Sequence, residues 1–180
     1  MRGAGTIFAA LLLGFATGAA LAHPAPNSFV NLDFGAGEVR AEFMLPVSEL
    51  AYAMDTEPTA QSLPAYLLAH VKAATPQGRA WKLRIEAVRT RTYLEVAYLV
   101  AQITLAPPAG ANTRDFVLSD DAVTHEVRNH RVLVIARQDT QVGNAAPELL
   151  GALQYPLREL VVQRPVSASR RRPAPAPAAG

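Results

Sequence analysis

The chain has 180 residues, 14 of them Pro and 11 Gly, with no Cys; 50% are hydrophobic and 18% charged. The length suits one domain with a usable core, and the lack of Cys excludes a disulfide scaffold, thiol catalysis and any Cys-ligated metal centre. The formal charge of +2 comes from the ends: apart from Arg2 and the run Arg170, Arg171, Arg172 there are 13 basic against 15 acidic residues, so the balance is no sign of nucleic-acid binding.

Residues 1–22 read as a secretory signal peptide. Arg2 supplies the positive start, Ile7 to Ala19 the apolar stretch, and Ala20-Leu21-Ala22 the small-x-small cleavage pattern. Cleavage after Ala22 implies a periplasmic protein; an uncleaved segment tethering the chain to the membrane is the alternative. Without a twin-arginine pair the general secretory route is expected. No later segment reaches the roughly 18 to 20 continuous apolar residues of a transmembrane helix, so no span is expected in the mature chain. His23 would then be the new N-terminus, where the α-amine and ring Nδ1 form a chelate suited to Cu, Ni or Zn. The ordinary reading, that signal peptidase merely leaves a His there, is preferred. Pro24 and Pro26 hold the next segment extended.

Ser28 to Phe34 alternates polar and apolar residues, and Val39 to Leu45 does so again after Gly35-Ala36-Gly37. That pattern predicts a β-hairpin with one apolar and one largely charged face. Pro46 to Met54 fits a short helix with Pro in its first turn, and Leu63 to Ala74 a second, ended by Pro76 and Gly78. Strand character returns at Trp81 to Val88, a weak turn is expected at Arg89-Thr90-Arg91, and Tyr93 to Leu105 is β-rich. Phe116 to Leu118, Arg131 to Arg137 and Val161-Val162 complete the strands. About seven short strands without alternating helices predict a mainly β, two-sheet antiparallel, Ig-like sandwich with a short helical insertion. Phe29 or Val30, Phe43, Trp81, Ile85, Val96, Leu133 and Ile135 are the expected core. The domain is placed at 23–164, and 165–180, rich in Arg, Pro and Ala, as a disordered tail.

No nucleophile elbow, phosphate loop, zincin or dinucleotide fingerprint occurs, so no enzyme is expected. His70 sits beside Leu67 and Val71 and reads as a helix-surface or packing residue. The richest polar segment is Asp120 to His130. His125 and His130 lie five apart and meet only if Arg128-Asn129 turns or bulges; Glu126 would add a carboxylate and His23 would approach from elsewhere. His23, His125, Glu126 and His130 are therefore the candidate ligands for a Cu, Ni or Zn ion. The ordinary alternative is a polar loop whose His rings bond to backbone.

The order Ala22-His23-Pro24-Ala25-Pro26-Asn27-Ser28, Leu45-Pro46-Val47-Ser48-Glu49-Leu50, His125-Glu126-Val127-Arg128-Asn129-His130 and Leu149-Leu150-Gly151-Ala152-Leu153-Gln154-Tyr155-Pro156 resembles the N-terminal extracytoplasmic region of HupE/UreJ-like membrane proteins. The resemblance covers about residues 22–164. It implies a β-rich outer domain that in the family precedes a multi-helix membrane module linked to nickel or cobalt uptake. That module is absent from the sequence. The expectation is a chain derived by truncation or frameshift after Arg164, which carries no transport activity over. Two functions follow as expectations. One is an exported, non-enzymatic protein-interaction module that meets an integral membrane protein of the envelope. The other is a periplasmic divalent-metal-binding protein using His23 with His125 or His130.

Overall fold

A computed structural model describes residues 26–143 and 146–165. Residues 1–22, expected to be a signal peptide, His23 and the residues beyond Pro165, expected to be a disordered tail, lie outside the described residues. The element order is β1 (Ser28–Phe34), β2 (Val39–Pro46), α1 (Val47–Met54), α2 (Leu63–His70), β3 (Val71–Ala74), β4 (Lys82–Tyr93), β5 (Val96–Ala106), β6 (Asp115–Asp120), β7 (Val132–Asp139), β8 (Glu148–Leu153) and β9 (Glu159–Gln163). They form a six-stranded sheet, β4-β5-β2-β1-β7-β8, and a three-stranded sheet, β3-β6-β9. The protein is mainly β, with two sheets in a sandwich and two short helices between β2 and β3.

The expected first hairpin is present, with Phe34 opposite Val39. Its inward residues Val30, Leu32, Phe34, Ala41 and Phe43 join one core with Phe116, Leu118 and Val162 of the small sheet. Aromatic rings link the two layers: Phe116 lies 4.6 Å from Trp81 and 6.4 Å from Phe34, centroid to centroid. Leu50 of α1 and Leu63 and Leu67 of α2 are fully buried and close one end of this core. Pro46 is extended and cannot donate to the first turn, so α1 begins directly after it; Asp55, in the left-handed region at φ 51°, ends it.

Several expectations need correction. The sandwich is not wholly antiparallel, because β1 runs parallel to β7. That pairing joins residues about a hundred positions apart, which local pattern does not report. The second helix stops at His70 and not at Ala74: Val71 is extended, and Val71–Ala74 pairs with β6, Val71 opposite Asp120. Arg89-Thr90-Arg91 is no turn but the middle of β4, paired residue for residue with Val100, Leu99 and Tyr98. β8 was not expected. The outward face of the first hairpin is less exposed than alternation implied, since Glu42 and Met44 are both buried there. In β7 the inward side chains are Val132, Val134 and Ala136, while Leu133 and Ile135 face out half-buried. Phe29 and Val96 likewise pack on the outer face, with Met44, Tyr98 and Val100.

The end of the domain is clamped by charge. Arg114 donates two bonds of 2.8 Å to the carboxylate of Asp139 and others to the carbonyls of Arg164 and Pro165. Arg164 donates to Asp139 and Glu148 and lies over the Phe34 ring. Both Arg114 and Asp139 are buried, so the bidentate pairing offsets the cost of desolvating them.

Candidate functional site

The segment after β6 folds as a tight helical turn. His125 and Val127 N–H groups bond back to the carbonyls of Asp121 and Val123. This geometry separates the two histidines expected to converge. His125 turns toward α2, where its ring stacks on His70 with centroids 4.5 Å apart and planes 26° from parallel. His130 turns the other way, into the interior.

The first group is thus His70, His125, Asp121 and Tyr66. His70 Nδ1 lies 2.8 Å from Asp121 Oδ1, and His125 Nδ1 lies 2.8 Å from the Asp121 carbonyl. A carbonyl only accepts, so His125 carries its proton on Nδ1, and a carboxylate asks the same of His70. Among the described residues, neither Nε2 has a hydrogen-bond partner. Tyr66 stacks on His70 at 4.4 Å and donates its hydroxyl to the Ala122 carbonyl. Burial raises the Tyr66 pKa, and Asp121, Asp120 and Glu126 raise it further. Asp121 also accepts from Arg158. Beneath it, Asp120 is buried and its pKa is pushed up to about 6, by burial first, against the Ala122 N–H bond that favours the anion and with repulsion from Asp121. Glu126, the third expected ligand, is exposed and lines a shallow groove with Glu49, Tyr52 and Arg128.

His130 forms a second, buried group. Its Nε2 is 2.8 Å from Ser28 Oγ, while Nδ1 has no hydrogen-bond partner and lies 4.0 Å from Glu49 Oε2. Burial lowers its pKa to about 4, so the ring is neutral at physiological pH. Ser28 is itself only 2% exposed, so the Ser28–His130 bond ties β1 to the segment that leads into β7 and presents no nucleophile to solvent. Among the described residues no group of three or more His, Asp or Glu side chains is arranged to hold a metal ion.

The third feature is the hairpin of β4 and β5. It is the longest in the fold, and its final pairs, Thr92–Ala97 and Tyr93–Val96, extend past the last β2–β5 pair at Pro46–Tyr98. The connecting residues Leu94 and Glu95 have φ of 47° and 65°. A type I′ turn requires those signs and favours Asn-Gly; a bulky Leu there is strained. Leu94 is nonetheless 78% exposed and Tyr93 41%. Sequence reasoning missed this feature because the dipeptide Leu-Glu carries no turn signal. The hairpin is braced from the sheet's outer face, where the buried Glu42 carboxylate accepts from Arg89, Gln102 and Arg137.

Among the described residues no helix is long and apolar enough to cross a membrane. In comparisons with known proteins, no family model and no curated protein matches the chain.

Proposed function

We propose that the chain is an exported, non-enzymatic β-sandwich module that binds a protein partner at the cell envelope, in keeping with its resemblance to the outer domain of HupE/UreJ-like proteins. The observation that carries this reading is the hairpin tip. Left-handed backbone at a bulky residue costs on the order of 1–3 kcal/mol, and an exposed Leu recovers none of it by packing within the fold. Contact with another molecule would. Three of the described carboxylates are engaged in holding structure: Glu42 and Asp139 by arginines, Asp121 by His70 and Arg158. Incubating the tagged full chain with solubilised envelope membranes should recover a specific multi-helix membrane protein, and Leu94→Asp should lose it. Recovery of none, or equal recovery by both chains, contradicts the reading. Export is tested separately by the mass of the chain isolated from cells, which should begin at His23.

A second reading, binding of Cu, Ni or Zn, has one observation in its favour, and it exchanges the companion of His125 from His130 to His70. Both rings have Nδ1 tied to Asp121 and Nε2 open, the way protein partners orient metal-ligating imidazoles. The stacked rings direct the two Nε2 atoms side by side and not at one point, so an ion held by both needs one ring to turn. Calorimetric titration with each metal should be weakened by His70→Ala and His125→Ala and unchanged by His130→Gln; equal affinity in all variants rejects this reading.

A further inference from the structure

Resting on the reading of the chain as an interaction module, we propose that the free edge of β4 between Ala87 and Tyr93 docks an extended, acidic polypeptide segment as an added strand of the large sheet. β4 is the outermost strand of that sheet, and its other edge carries all its ladder bonds, to β5. Early in β4 the register shifts between Ile85 and Ala87, a bulge of the kind that spoils pairing on an edge. Beyond it, seven consecutive residues pair regularly as far as the turn. Among the described residues no backbone bond reaches the outer edge of this stretch.

The two-residue turn sets which groups are open. The pair that closes such a turn, Tyr93 with Val96, exchanges both of its hydrogen bonds, and bonded and non-bonded pairs alternate from there. Arg91, Arg89 and Ala87 therefore bond to β5, whereas Thr92, Thr90 and Val88 direct N–H and C=O away from the sheet. Only another extended backbone satisfies that alternation of donors and acceptors, which makes the fitting ligand a polypeptide strand.

Charge selects the kind of strand. Lys82, Arg84, Arg89 and Arg91 share the outer face of β4, against Glu86 alone. Arg84 is paired with Glu86 and Arg89 with Glu42, while Arg91 lies over the Tyr93 ring and, among the described residues, has no ion-pair partner. A second copy of β4 would set basic side chains opposite basic side chains, which is unfavourable. A strand with acidic residues at alternate positions meets Arg91, and the solvent side of Arg89, with opposite charge. Basic side chains along an edge also guard against chance pairing, and acidic strands are the class this guard does not repel. Tyr93 and Leu94 offer an apolar anchor at the end of the same edge.

The experiment selects random peptides of about ten residues, long enough to span the edge, on the folded full chain. The expected result is enrichment of peptides with acidic residues at alternate positions. Their binding should protect the Val88, Thr90 and Thr92 amides from hydrogen exchange and should weaken with salt. It should drop roughly fivefold in the Arg91→Glu variant, as expected when one cross-strand attraction becomes a repulsion. Thr90→Pro, which removes an edge amide and leaves the β5 ladder intact, should abolish it. No enrichment, enrichment without acidic bias, or binding indifferent to both variants overturns the proposal, as does a preference for anionic lipid vesicles that Thr90→Pro retains. If the envelope protein is still captured by both variants, the edge assignment falls and the interaction module stands. If peptides dock on the edge and no envelope protein is captured, the reverse holds.

Discussion

Two buried groups with opposite pH responses make a sharp test of the interior. His130 has its pKa lowered from 6.5 to about 4 by burial, so between those values the unfolded chain takes up a proton that the folded chain refuses. Stability from this group is complete above pH about 6.5 and is lost as pH falls toward 4, by about 3 kcal/mol. Asp120 has its pKa raised from 3.8 to about 6, so the folded chain takes up a proton first and stability is gained over nearly the same fall, again by about 3 kcal/mol. The two contributions offset each other in the wild type. His130→Gln keeps a polar partner near Ser28 and removes one of them. The variant should become more stable by about 3 kcal/mol between pH 6.5 and 4.2 relative to the wild type, and Asp120→Asn less stable by a similar amount. Urea unfolding at pH 7, 5.5 and 4.2 reads both. Identical pH profiles for the wild type and His130→Gln would falsify the buried, neutral imidazole. A strong shift in the wild type alone would show that the offset does not exist.

The remaining predictions concern packing, the charge clamp and the turn. Leu32→Ala, in the centre of the sandwich, should lower stability by about 2–5 kcal/mol, and Ile135→Ala, on the outer face, by clearly less; equal denaturant midpoints would show the faces of β7 reversed. Arg114→Ala leaves the buried Asp139 with Arg164 and the Gln141 N–H and without its bidentate partner, and should cost about 3–5 kcal/mol, read by the same unfolding curves. Replacing Leu94-Glu95 by Asn-Gly should raise stability by about 1–3 kcal/mol while weakening partner capture; a loss of stability would refute strain at the turn.

The legible parts of the fold were those that local chemistry decides. The β1–β2 hairpin was readable because strict alternation flanks Gly35-Ala36-Gly37, and α1 because Pro46 opens a run of helix formers. The unbroken apolar run Val132 to Ala136 has no alternation, so which side faced inward was undetermined by pattern. β8 was hidden by Gly151, whose role is tertiary: a Cβ there would meet Leu160 of β9 at 2.7 Å. Val71–Ala74 looks helical until the β6 edge is there to pair with it. The polar run Arg89-Thr90-Arg91 resembled a turn, whereas the true turn uses two residues that avoid left-handed backbone elsewhere. Of the site, the Asp120–His130 segment was legible as the richest polar stretch, but the partners of its side chains were not. His70 and His125 are brought together only by the packing of α2 against the turn after β6.

The central claim, that the β4–β5 hairpin is where this module meets its partner, is tested most directly by photo-crosslinking in living cells. A benzophenone side chain at Leu94 should give an adduct with one envelope protein. The same group at the exposed Gln77, at the other end of β4, should give none. An absence of adducts at Leu94, or the same adducts from both positions, would contradict the account.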